Sequence, residues 1–213
     1  MTSQAARRPE SSGSAARRSK ITPEREQEFF DAVLDQIREH GYDAVTMEGV
    51  AASTRCSKST LYRQWGTKPR FVAAALRSSP RARFAGIDTG SLAGDLRAAA
   101  RLAGEWATRD TALLQALGHA VTQDPELARA LREALVDPEI ASLEEILRRG
   151  VERGEVAAGH PALPHVPAQI FGVLRARPVL EGRNADPEYV LAFVEAAVLP
   201  LLTPPGPGTP STG

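Results

Sequence analysis

The sequence predicts an all-α fold, with a three-helix helix-turn-helix domain at the N-terminal end and a larger helical domain after it. Three observations carry this expectation. The 213 residues are 42% hydrophobic and 24% charged but only 5% aromatic, and the recurring Ala, Leu and Arg favour helices over β-branched strands. Apolar residues recur at helical spacing, and no alternating run competes with them. Helix starts are marked by cap-and-proline pairs along the whole chain.

Residues 1–20 are rich in Ser, Ala, Arg and Gly without periodicity and read as a disordered basic arm. Thr22 is an N-cap, Pro23 follows at the first helical position, and Glu24, Glu26 and Glu28 complement the positive end of the dipole. Phe30, Val33, Leu34 and Ile37 form one apolar stripe, and Gly41 stops the helix. Thr46 caps a short helix with Val50 and Ala51 inward. Ser57 caps another that carries Leu61 and Trp65, and a fourth helix spans about 68–79. The Pro/Gly-containing segment Pro80–Gly90 marks the boundary between a domain at 21–79 and one at 91–202. Helical patterns follow at about 91–108, 111–123, 125–136, 138–153, 166–182 and 187–202. Asp124-Pro125, Asp137-Pro138 and Asp186-Pro187 read as caps followed by an N1 proline, and Pro178 as a kink or end of the penultimate helix. The Pro/Gly-rich stretch 203–213 reads as a disordered tail.

Several classes are disfavoured. No apolar run reaches the ~18–20 residues of a membrane span. The basic N-terminus has no apolar stretch behind it, unlike a secretory signal. The single cysteine, Cys56, cannot form an internal disulfide or a cysteine-rich zinc site. A cytoplasmic protein without metal or cofactor is the expectation. His40, His119, His160 and His165 are scattered without metal-helix spacing, and there is no phosphate-cradling glycine loop or nucleophile elbow, so no enzyme is expected.

Charge is informative where the total is not. The formal net charge is +0, yet residues 1–83 hold 15 Lys/Arg against 9 Asp/Glu (+6), leaving 11 against 17 (−6) for the rest. The stretch 49–87 contains no acid and eight bases: Arg55, Lys58, Arg63, Lys68, Arg70, Arg77, Arg81 and Arg83. A solvated helical face interleaves both signs, so a one-sign stretch of this length points to a polyanion.

Two short helices joined by about four residues, after a longer one, make a helix-turn-helix. The second, Ser57-Lys58-Ser59-Thr60-Leu61-Tyr62-Arg63-Gln64-Trp65, suits the major groove of duplex DNA. Leu61 and Trp65 share an inner face, while Lys58, Ser59, Tyr62 and Arg63 lie towards the outer one. Small polar groups allow close approach to base edges and the cations neutralise phosphates.

At these residues the chain resembles the tetracycline-repressor (TetR) family of transcriptional regulators. The matching run is Gly41-Tyr42, Val45-Thr46-Met47, Val50-Ala51, Cys56 to Trp65, then Lys68. The resemblance covers about residues 22–72. It implies that Thr46 contacts a phosphate at a helix N-terminus, that Ser57, Lys58, Ser59 and Thr60 face the groove, that the Tyr62 hydroxyl contacts phosphate, and that Lys68 holds the DNA backbone. Two residues depart from the pattern. Arg55 replaces a turn glycine at an expected left-handed position, costing roughly 1 kcal/mol, and Ser59 replaces a frequent glycine. Cys56, between Arg55 and Lys58, admits a redox-sensing role or simple inward packing. The arm residues Arg7, Arg8, Arg17, Arg18 and Lys20 are either a minor-groove extension or a solubilising tail.

The second half resembles the family's larger helical domain in layout, most closely at Leu127–Glu155. The resemblance implies an effector-binding domain and a homodimer through the last two helices, about 166–182 and 187–202. Ile170, Phe171, Val173 and Leu174, with Val190, Leu191, Phe193, Val194, Val198 and Leu199, supply apolar faces for a bundle or for the monomer's own core. Trp106, Gln115, His119, Phe171 and Arg175 are the candidate effector contacts. The expected function is therefore a ligand-responsive regulator, a repressor that binds a palindromic operator as a dimer. An activator of the same fold and a non-specific architectural DNA binder are the alternatives.

Overall fold

The computed structural model describes residues 21–79 and 83–202. The predicted arm at 1–20, the tail at 203–213 and Arg81 lie outside the described residues. Among the described residues all regular structure is helical.

The N-terminal elements follow their capping signals. Helix α1 (Pro23–His40) begins at Thr22, whose side chain accepts the Arg25 N–H, and ends at Gly41, which takes φ 80°. Thr46 caps α2 (Met47–Ser53) through Gly49 N–H, and Ser57 caps α3 (Lys58–Trp65) through Thr60 N–H. Thr67 caps α4 (Lys68–Ser78). The apolar stripe of α1, extended by Phe29, packs with Tyr42, Val45, Met47, Val50, Leu61, Phe71 and Val72 into one core. Trp65 packs half-buried against it, stacked on Phe71 at 4.5 Å between centroids and edge-on to Phe29 at 5.9 Å. Such aromatic pairs contribute about 0.5–1.5 kcal/mol each beyond area burial.

This core does not stop at residue 79. Leu113, Leu117, Ala120 and Leu127 belong to it. They come from α6 (Thr111–Gln123) and α7 (Pro125–Leu131), which pack on α1 and α4 respectively. A second core is built by α5 (Leu92–Arg109), α8 (Asp137–Glu152), α9 (Val166–Glu181) and α10 (Pro187–Phe193). Helices α5 and α10 approach closely because Gly104 has no side chain where Pro187 crosses. The segment after residue 83 is pinned to α8: Glu139 accepts the Phe84 N–H at 2.9 Å, Arg149 donates to the Ile87 carbonyl, and Arg153 pairs with Asp88 at 2.6 Å. Asp95 is fully buried beside Arg149 and Arg153 and accepts from Thr89 N–H and Oγ1.

One proline pair acts differently from the sequence expectation. Asp137-Pro138 is not a cap. The backbone there is already helical, and α7 runs into α8 through a π-helical turn at Arg132–Val136, with Asp137 N–H bonding the Arg132 carbonyl. The same device recurs at Val194–Val198, two residues before Pro200, joining α10 to α11 (Leu199–Leu202). A proline ring collides with the carbonyl four residues earlier and offers no N–H. Widening the preceding turn accommodates both faults without ending the helix. Of the two readings of Pro178, a kink or an end, the structure excludes the end: α9 continues to Glu181 and is capped by Gly182, in the left-handed region at φ 66°.

Candidate nucleic-acid interface

The helix-turn-helix geometry starts with the turn. Cys56 N–H returns to the Ala51 carbonyl at 2.8 Å, and Arg55 occupies the left-handed region at φ 51°, as its place in a glycine position predicts. Arg25 fastens the turn from outside: its guanidinium donates to the Thr54 carbonyl and lies 4.6 Å over the Phe29 ring. Gln36 ties α1 to α2 through Ser53 at 2.9 Å. Sequence reasoning passed over Arg25 and Gln36, because neither interrupts the apolar stripe of α1 or stands in the motif.

On α3, Leu61 is fully buried while Lys58, Ser59, Tyr62, Arg63 and Gln64 are exposed. The inner and outer faces therefore fall as the spacing predicts. Ser57 Oγ lies 2.9 Å from both Ser59 Oγ and Thr60 Oγ1, so the start of the helix presents a small cluster of hydroxyls. Thr46 Oγ1 accepts the Gly49 N–H at 3.0 Å at the exposed start of α2. Among the described residues no carboxylate pairs with Arg55, Lys58, Arg63 or Arg70. Those cations keep their charge available for phosphates. Tyr62 turns its hydroxyl to within 3.5 Å of Glu48 Oε1 on α2.

Lys68 is placed differently from the exposed residues of α3. Its ammonium donates to the Tyr42 and Val45 carbonyls, each at 3.0 Å, and sits 3.9 Å over the Tyr42 ring. Burial pulls its pKa below the ordinary lysine value, with Asp43 and Asp124 opposing that shift. It anchors the 41–46 loop that leads into α2. The Tyr42 hydroxyl in turn donates to Asp124 at 3.0 Å, and burial with that carboxylate pushes its pKa up, keeping it a neutral donor. Asp124 caps α7, and Glu126 of the same turn accepts the Thr67 hydroxyl at 2.8 Å. Arg38 bridges to Asp110 at 2.8 Å at the start of α6. These contacts join α1, the loop before α2 and the cap of α4 to α6 and α7, and their partners lie too far apart in sequence for local pattern to reveal them.

Cys56 is half-buried against the first core, with Sγ 3.2 Å from the Ser57 carbonyl. It borders a shallow groove with Ile21, Thr22, Arg25, Phe29, Thr60 and Arg63.

The five candidate effector contacts are not gathered into one place. Trp106 and Phe171 are half-buried against the second core, and Phe171 lies 6.3 Å from Phe84. Gln115 and His119 are exposed on α6, which packs on the first core instead, and Arg175 is exposed on α9.

An exposed, cationic second helix in a tightly braced helix-turn-helix, followed by a large helical domain, defines a DNA-binding transcription regulator. Residues 29–75 match the family described as bacterial regulatory proteins, tetR family, and residues 87–197 match the tetracyclin repressor-like C-terminal domain. The chain is 32% identical to the HTH-type transcriptional regulator Rv1556 of Mycobacterium tuberculosis over 84% of its length and 88% of the relative's. It is 30% identical to the DNA-binding transcriptional repressor TetR of Mycobacteroides abscessus, covering 80% of this chain and 90% of that one. The crystal structure of the TetR family transcription regulator SCO0332 superposes with a TM-score of 0.62 at 27% identity, over 83% of this chain and 97% of that one. The protein belongs to the TetR family of transcriptional regulators. No helix among the described residues is long and apolar enough to cross a membrane.

Proposed function

We propose that this regulator is a ligand-responsive repressor that binds a palindromic operator as a homodimer and is released by a small-molecule effector. The observation that carries the reading is the outer face of α3, where Lys58, Ser59, Tyr62 and Arg63 stand exposed and, among the described residues, no carboxylate pairs with either cation. Thr46, Ser57 and Thr60 supply hydroxyls at the same helix starts, while Lys68 acts by holding the loop before α2. Repression is the activity in the name of the M. abscessus relative.

One recognition helix reads too few bases for useful specificity, so two copies are required, with the helices about 34–36 Å apart. The apolar residues that the sequence offered for a bundle are largely spent within the monomer: Ile170, Val173, Leu174, Val190, Val194, Val198 and Leu199 are buried in the second core, and Phe171, Leu191 and Phe193 pack against it. The surface left for a second copy is Gly172, Ala176, Val179 and Leu180 on α9 with Ala192 and Ala196 on α10 and its extension, all exposed. Val179 is 85% exposed and Leu180 79%. Their small neighbours permit close helix approach. Release by effector needs ~2.7 kcal/mol of coupling for a 100-fold loss of operator affinity.

The experiment is selection of bound duplexes from a randomised pool by the full chain, followed by titrations at several salt concentrations and size measurement of the free protein. A palindromic motif, a steep salt dependence and a dimer are expected. Uniform binding without sequence enrichment would indicate an architectural binder and overturn the reading.

A further inference from the structure

Glu48 is the sole acid between Ala44 and Ile87. It is exposed on the first turn of α2, and its carboxylate faces the Tyr62 hydroxyl of α3 at 3.5 Å. That contact places the carboxylate on the side of the molecule where α3 presents Tyr62 and, one turn before it, Lys58. No Lys or Arg among the described residues forms an ion pair with it. An acid in a first helical turn ordinarily serves the helix dipole. Here Thr46 already caps α2, and favouring the dipole does not require a carboxylate turned towards α3.

An unpaired carboxylate on this surface repels phosphate oxygens and so lowers affinity wherever it nears the DNA backbone. It carries acceptors only. The groups on a duplex that it can bond directly in the major groove are amino donors on base edges, cytosine N4 and adenine N6. We infer that Glu48, oriented by Tyr62, reads one exocyclic amino group in each half of the operator and acts as a specificity-determining residue. This rests on the DNA-binding reading above. It gives the lone acid a specific role: binding to arbitrary DNA is weakened, and the loss is recovered where the correct base offers its amino group.

The test compares the full-length wild type with Glu48→Ala and Glu48→Gln in selection from a randomised duplex pool. Anisotropy titrations on the selected duplex and on a non-operator duplex follow, with helical content and thermal unfolding as folding controls. The wild type should show one position per half-site dominated by cytosine or adenine. Glu48→Ala should lose about tenfold of the preference there, keep it elsewhere, and bind the non-operator duplex several-fold tighter. If the position reads cytosine, Glu48→Gln should move it towards adenine, whose N6 and N7 an amide engages together. If it reads adenine, Glu48→Gln should retain it while Glu48→Ala does not. Should Glu48→Ala fail to fold, the near-isosteric Glu48→Gln decides by its tighter non-operator binding and, where the position reads cytosine, by its move towards adenine. Variants that select the wild-type motif with unchanged preferences and unchanged non-operator affinity overturn the inference. A wild type that enriches no sequence overturns the DNA-binding reading itself, so the two failures are distinguishable.

Discussion

Lys68→Met separates two readings of one lysine. In the structure the ammonium makes two hydrogen bonds to backbone carbonyls, of Tyr42 and Val45, and lies over the Tyr42 ring. Hydrogen bonds from a charged donor are worth about 1.5–3 kcal/mol each, and a cation–π contact about 0.5–2 kcal/mol. Two terms reduce the sum. The Tyr42 carbonyl keeps a second partner in Val45 N–H at 3.2 Å, and methionine escapes the desolvation that depresses the lysine pKa. The net loss should be about 2–3 kcal/mol. In a chain of this size it lowers Tm by roughly 4–12 °C, at about 2–4 °C per kcal/mol.

The measurement is thermal unfolding of the DNA-free protein, paired with the salt dependence of operator binding. A lysine that held phosphate would leave Tm nearly unchanged and reduce the salt slope by about 0.9 per lost contact. A lysine that holds the loop before α2 lowers Tm and leaves the slope intact. A Tm within a degree of wild type, together with a fallen slope, would refute the structural assignment and restore the role that the family resemblance implied.

Three further outcomes follow from individual residues. Gly104→Ala should destabilise by about 1–3 kcal/mol in chemical denaturation although helix propensity alone favours alanine by about 1 kcal/mol, because the new Cβ would lie 2.4 Å from the Pro187 backbone; a stabilised variant would contradict the close α5–α10 crossing. Arg55→Gly should raise Tm by about 2 °C, since relief of the left-handed backbone of roughly 1–2 kcal/mol exceeds the entropy cost of glycine; a lower Tm would count against strain at the turn. The Asp124 carboxyl is held below its ordinary value of 3.8, first by the Leu127 N–H and also by the Tyr42 hydroxyl. A folded pKa below the unfolded one gives stability that is complete above about pH 4 to 5 and lost as pH falls through the folded value. The gap in Tm between wild type and Asp124→Asn should therefore be open at pH 7 and close in acid, and a gap that widens in acid would reverse the assignment.

What the sequence made legible was local. Thr22, Thr46 and Ser57 cap helices because each needs only its own backbone three residues on, and Arg55 signalled a left-handed turn by standing in a glycine position. Pro138 misled because the cost of a proline depends on whether the preceding turn can widen, which neighbouring packing decides. The apolar stripes of α9 and α10 were visible, but spacing does not say which body they face, and the structure turns most of them into the monomer's second core. Glu48 carried a signal in the charge pattern as the last acid before the basic stretch. Its meaning came only with the position of Tyr62 beside it.

The shared first core bears on how such a regulator can be controlled. Leu113, Leu117, Ala120 and Leu127 complete a core whose other members carry α2 and α3, and interiors packed at crystal density transmit displacement rather than absorb it. Polar contacts reinforce the link at three separate points: Asp124 holds the loop before α2 through Tyr42, Glu126 holds the cap of α4, and Asp110 holds the end of α1. These three acids sit within the first two residues, or at the cap, of α6 and α7. A shift of either helix start therefore moves the DNA-facing unit at its edges as well as its centre. A displacement of α6 or α7 therefore loads both the core that holds Leu61 of α3 and the three polar contacts at its edge.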